Sequence, residues 1–215
     1  MKPEVPKHSR DHRAEETRHA IVTAARKLFA AKGYADTSIR DLVKAAGVTR
    51  GALYHHFKDK EELFSRVFEL VARETVGLTL AAASHGTDLW ERITNGREAW
   101  LESCMRPEVH RIAMIDGRSV LSAHRRREIL GSIGSVEANL IKASIEALMD
   151  AGDVPRVVPV EPVATLLTGA FDAAALLIAE SEDKEKTRRE VGNTLTLLLE
   201  ALRSYATTTF RREPL

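Results

Sequence analysis

The sequence predicts an all-α protein, with a small N-terminal domain joined to a larger helical body in 215 residues. Three observations predict it. Apolar residues recur at helical spacing from Glu15 almost to the C-terminus, and no segment alternates with the period of two that marks a strand. Aromatics make up only 5% of the chain, so the interior has to be built from Leu, Ile, Val and Ala, a composition that favours helices. Charge is divided unevenly. Residues 1–60 carry 13 basic and 7 acidic side chains, a net +6, whereas the remainder carries −5. A basic unit on a mildly acidic body implies a polyanionic partner for that unit alone.

Composition also excludes function classes. Cys104 is the only cysteine, so one chain can build no disulfide framework and no cysteine zinc site, and a reducing compartment fits. The N-terminus lacks an apolar signal region, and no stretch reaches ~18 uninterrupted apolar residues. The expectation is a cytoplasmic protein with no membrane partner. Cys104 has no local histidine partner, and no Ser-centred elbow, phosphate loop or HExxH is present. The chain is expected not to be an enzyme, and no cofactor or metal is expected.

Taken in order, residues 1–14 hold two prolines and no apolar period, and read as a flexible arm. His8 and His12 have ligand spacing, but in a Pro-flanked basic tail they read as solvated charge. Residues 15–60 read as the DNA-binding domain. Ile21, Ala24, Ala25, Leu28 and Phe29 form the stripe of a first helix, which leaves Arg18, Arg26 and Lys32 exposed and ends at Gly33 in a left-handed cap. Ser38 with Asp41 forms a capping box for a short second helix burying Ile39, Leu42 and Val43. Ala46-Gly47-Val48 makes the turn, and Thr49 caps a third short helix with Leu53 and Phe57 inward. Asp59 and Glu62 then cap a long fourth helix.

Residues 61–215 read as the larger helical body, which carries the dimerisation helices. Its helices begin at Leu63, Leu89 and Val109, with breaks at Ala83–Gly86, before Pro107 and at Gly117. One long helix carries Ile129, Ile133, Val136, Leu140 and Leu148. The last two helices, about 160–180 and 185–206, have broad apolar faces, and Val191, Leu195, Leu198, Leu202 and Tyr205 are spaced 4-3-4-3. That coiled-coil spacing predicts a homodimer through these two helices.

The stretch from Thr37 to Lys60 is a helix-turn-helix. Ala46 lets the two helices approach, Gly47 supplies a positive φ, and Val48 fills the space between them. The exposed face of the third helix carries Thr49, Arg50, Gly51, Tyr54 and His55, at a helix N-terminus suited to phosphate. Arg50 can pair with a guanine edge or clamp a phosphate. Gly51 costs ~1 kcal/mol against Ala in a helix, which makes sense where backbone must approach DNA closely. Lys58 and Lys60 are placed to grip the DNA backbone.

Residues 17–64, with Leu28-Phe29…Gly33-Tyr34, Thr37-Ser38-Ile39-Arg40, Ala46-Gly47-Val48 and Leu53-Tyr54-His55-His56-Phe57-Lys58, resemble the N-terminal domain of the TetR family of transcriptional repressors. The stretch from Arg106 to Leu121 also resembles a pattern found in some members. The resemblance implies a homodimer on a palindromic double-stranded operator. A small molecule in the body tilts the fourth helix, changes the spacing of the recognition helices and releases DNA. It places Thr37, Ser38 and Arg40 near the DNA-facing end of the second helix, sets Thr49, Arg50, Gly51, Tyr54 and His55 in the groove, and puts Lys60 on a phosphate. Pocket residues are expected among bulky or polar side chains on apolar helices: Trp100, Cys104, Met105, His110, Met114, Asp116 and Phe171, with Asp172 beside them. The sequence leaves open a DNA-binding dimer without a small ligand, and activation in place of repression.

Overall fold

The computed structural model describes the backbone of residues 7–134 and 137–209, and side chains over 12–133 and 141–203. Among these residues the chain is helical throughout, with no strand. Helix α1 (Lys7–Lys32) starts eight residues before Glu15, so part of the expected arm is helical. Residues 8–14 are mostly polar with good helix formers, and a helix nucleated further on extends through them at little cost. The expected arm residues 1–6 lie outside the described residues.

Helix α1 ends at Gly33, whose φ is +82° and whose N–H bonds the Phe29 carbonyl at 2.9 Å. Helix α2 (Ile39–Ala46) has the full Ser38/Asp41 capping box, and Gly47 closes it in the left-handed region at φ +67°. Helix α3 (Arg50–His56) is capped by Thr49 Oγ1, which accepts from Ala52 N. Helix α4 (Lys60–Ser84) is capped by Asp59. The local signals thus set all these boundaries, because each cap satisfies donors or acceptors that a helix end leaves open.

Ile21, Ala25, Phe29, Leu42, Leu53, Phe57, Leu63, Phe64, Val67 and Phe68 form one buried cluster. The first half of α4 therefore belongs to the core of the N-terminal head. Phe29, Tyr34 and Phe64 pack as a ring triad with centroids 5.2–5.8 Å apart.

The body adds α5 (Leu89–Met105), α6 (Pro107–Val109), a π-helix π1 (His110–Asp116), α7 (Gly117–Val120), α8 (Ala123–Gly134), α9 (Glu137–Asp150), α10 (Val160–Glu180) and α11 (Lys184–Thr209). Two expectations change here. Gly117 does not end its helix: it is buried at φ −57°, where a Cβ would lie 2.6 Å from the Phe68 ring. The single long helix expected across Ile129–Leu148 is two, α8 and α9, flanking residues 135–136, which lie outside the described residues.

Arg26, expected on the exposed face of α1, is instead three-quarters buried. It donates to Glu74 of α4 and to Glu108 of α6 at 2.5–2.9 Å. Three elements are thereby tied by one guanidinium.

Helix α10, though interrupted by Glu161 and Asp172, is long and apolar enough to cross a membrane by length and composition alone; 28% of that stretch is buried. Its inward stripe, Ala164, Leu167, Ala174, Ala175 and Ile178, is buried, while Leu166 is 73% and Leu177 56% exposed. The 4-3-4-3 stripe of α11 is covered only in part by its own chain. Val191 and Leu195 are buried within the chain, Leu202 packs beside α9 and α10, and the exposed leucines are Leu197 and Leu198. Tyr205 lies outside the described side chains. Spacing identifies a stripe; it does not say which neighbour covers it.

Candidate nucleic-acid interface and body cavity

The surface of α3 and its flanks is polar and open. Arg50, Gly51, Tyr54 and His55 are exposed, as are Ser38, Arg40, Thr49 and Lys58. Arg50 lies over the Tyr54 ring, 5.5 Å from its centroid, one helical turn away. This contact pre-positions the guanidinium and keeps its donors outward. A Cβ at Gly51 would meet only Thr49 Oγ1 at 3.9 Å, so packing within the chain does not call for glycine there. The hydroxyls of Thr49 and Ser38 are engaged as caps. His56, half-buried beside His55 and Arg18, has its imidazole pKa lowered by burial and by those two neighbours.

Two expected DNA ligands are placed elsewhere. Thr37 is fully buried, and its Oγ1 donates to the Gly33 carbonyl at 2.7 Å. Lys60 Nζ donates to the carbonyls of Tyr34 at 2.8 Å and Thr37 at 2.9 Å, and sits 4.0 Å from the Tyr34 ring centroid. Thr37 closes the loop between α1 and α2 on itself, and Lys60 holds that loop against α4. Carbonyls ending α1 leave acceptors open, and a nearby ammonium satisfies them better than it reaches outward.

The head is coupled to the body through π1. Asp116, buried, accepts from Tyr34 N at 2.7 Å and lies 3.4 Å from Arg111 Nε. Arg111 Nη2 donates to the Lys32 carbonyl at 3.4 Å. On the opposite side His110 Nε2 donates to the Ala179 carbonyl of α10 at 3.0 Å. Inserting the π-turn lets one short element face both partners, as such bulges often do at functional sites.

Below the head, α4, α5, α9, α10 and α11 enclose a cavity of about 470 Å³ with a mainly apolar wall, within the range of small-molecule sites. Trp100 and Phe171 line it, their rings edge to face with centroids 5.1 Å apart, and Asp172 is at its edge. The other expected pocket residues are not in the wall. Cys104 is buried with Leu101, Ala174, Ile178 and Leu195, and Met105 and Met114 pack against that cluster. His110 and Asp116 are spent on the joint just described. Sequence reasoning missed Trp90, Ile93 and Arg97, which line the cavity with Trp100. Their 3-4-3 spacing, with one arginine inside an otherwise apolar stripe, was the available signal.

Residues 21–67 match the bacterial regulatory proteins of the tetR family, and residues 90–202 match the tetracyclin repressor-like C-terminal domain. The chain is 54% identical over 57 residues to the HTH-type transcriptional regulator AcrR of Shigella flexneri, a match spanning 26% of each chain. It is 25% identical over 177 residues to the HTH-type transcriptional repressor AcnR of Corynebacterium glutamicum, covering 79% of this chain and 85% of that one. A solved TetR-family transcriptional regulator from Pectobacterium atrosepticum superposes with a TM-score of 0.77 at 34% identity, over 89% of this chain and 96% of that chain. With a capped helix-turn-helix head, a helical body and a matching family over both parts, the chain belongs to the TetR family of DNA-binding transcriptional regulators.

Proposed function

We propose that the chain is one protomer of a homodimeric repressor that binds an inverted-repeat operator and leaves it when a small molecule enters the body cavity. The observation that carries this reading is the open polar face of α3, where Arg50, Gly51, Tyr54 and His55 project from a head whose core is fully packed. Gly51 supports it further, since nothing inside the chain requires the missing side chain. Ser38, Arg40, Thr49 and Lys58 flank that face and are assigned to phosphate and groove contacts.

The exposed leucines of α10 and α11, Leu166, Leu177, Leu197 and Leu198, support a subunit interface there, because exposed apolar surface on adjacent helices is what a partner would cover. A two-fold pair then sets its recognition helices about one DNA turn, ~34 Å, apart. Helix α4 connects the two jobs. Leu63, Phe64 and Val67 sit in the head core, and Thr79, Leu80 and Ala83 sit in the cavity wall, on a rod of about 37 Å. A ligand pressing on its lower end tilts the head and spoils the spacing. Such a regulator acts in the cytoplasm, where its operator is.

A gel shift against the DNA upstream of the gene tests the reading. Discrete binding should fall about 10³-fold between 50 and 200 mM salt if ~6 phosphates are neutralised. An Arg50→Ala, Tyr54→Ala variant should lose the shift while keeping its melting temperature. Equal binding by the variant, or a flat salt response, would sink the proposal.

A further inference from the structure

We infer that the molecule this cavity takes is an amphipathic anion, an apolar body with a carboxylate-type head held by Arg97 of α5. The inference rests on reading the cavity as an effector site. The wall is apolar, and most of its polar side chains are already engaged. Thr79, Ser84 and Thr168 return their hydroxyl protons to carbonyls of their own helices. Arg92 Nε donates to the Gly86 carbonyl. Two donors in the lining are buried without an acceptor: Trp90 Nε1 and Arg97 Nε. Buried donors are almost always paired, and leaving one unpaired costs the folded chain its desolvation. Both lie on one stripe of α5, Trp90–Ile93–Arg97–Trp100, with the donors two turns apart.

Charge selects an anion over a neutral acceptor. Arg97 is 8% exposed, donates to Thr196 Oγ1 at 2.6 Å, and shares Glu98 with Arg188. One half-exposed carboxylate thus serves two guanidiniums, with Glu185 reaching Arg188 only at 3.5 Å from the surface. A second cation, Arg203, lies 5.1 Å from the Trp90 ring centroid. A buried guanidinium with a spare donor is completed by a carboxylate. Asp172, the acid in the lining, is exposed to solvent, and desolvation raises its carboxyl above the usual value.

The chain's two tryptophans both line the cavity, so intrinsic fluorescence reports its occupancy. Full-length protein is titrated at neutral pH with octanoate, 1-octanol and octylamine, which share one tail and differ in the head. Octanoate should bind about 10- to 100-fold tighter than 1-octanol, with octylamine weakest. Arg97→Met should bring octanoate down to the octanol level and leave octanol unchanged. The ranking on the unaltered chain stands even where that variant does not fold. Equal binding of octanoate and octanol overturns the anion assignment and keeps the cavity as an apolar site. No fluorescence response to any of the three overturns the effector reading as well.

Discussion

The head and the lower body use similar apolar residues and fill space differently. In the head, Phe29, Phe57 and Phe64 are at most 1% exposed, every helix end described is capped, and Lys60 and Thr37 consume the open carbonyls of the loop. In the lower body, five helices of comparable apolarity surround about 470 Å³ of space, with two donors left without acceptors. A reader of DNA needs its exposed side chains held to a fixed frame. The lower body leaves room that another molecule can fill. Empty volume separates the two regions more sharply than residue type does.

The strongest way to break this comparison is a cavity in the head. Phe29→Ala should destabilise the chain by about 3–5 kcal/mol, since the site lies in the ring triad and cannot collapse. Chemical denaturation measures it, and a loss below about 1 kcal/mol would mean the head packs no better than the body. Next in size, Gly117→Ala forces a methyl against the Phe68 ring and should cost about 1–3 kcal/mol, with a weaker operator shift because the joint moves.

A smaller effect is expected from the bridge between the parts. Arg26→Ala removes bonds to Glu74 and Glu108 and should cost about 1–2 kcal/mol, reduced by the partial exposure of both acids. The Arg26 guanidinium, first by direct hydrogen bonding, holds the Glu74 carboxyl below the ordinary glutamate range. That stabilisation is fully present above the unfolded-state value of about 4.3 and is lost as pH falls through the lower folded value. Melting curves of the two proteins should therefore converge towards acid; parallel curves would remove the linkage. The smallest effect sharpens the contrast. Ala147→Leu places methyl groups in the cavity wall and should leave stability unchanged or raise it by up to about 1 kcal/mol. The same variant should lose the octanoate response.

Some of this was legible along the chain. Ser38, Asp41, Gly47, Thr49 and Asp59 act within one or two turns of their own positions, so their caps follow from sequence, and with them the helix-turn-helix and the exposure of Arg50 and Tyr54. Trp100 and Phe171 were legible as cavity residues because bulk on an apolar helix has to meet either core or space.

Other features were decided only by the assembled molecule. Arg26, Lys60, Thr37, His110 and Asp116 look from the sequence like surface charges or ligands, yet each is satisfied by a backbone or side-chain partner on another element or turn. Val191 and Leu195 of the α11 stripe face their own chain because α5 and α10 are there to cover them, leaving Leu198 of the same stripe, and Leu197, outside. Arg97 keeps a buried donor without an acceptor only because α4, α9, α10 and α11 close around α5 and take its solvent away. Sequence alone determined what is local: helix periods, caps, the turn and the charge of the head. Tertiary structure decided which donors keep their partners and where space is left, because burial and cross-chain pairing depend on residues far apart in the chain.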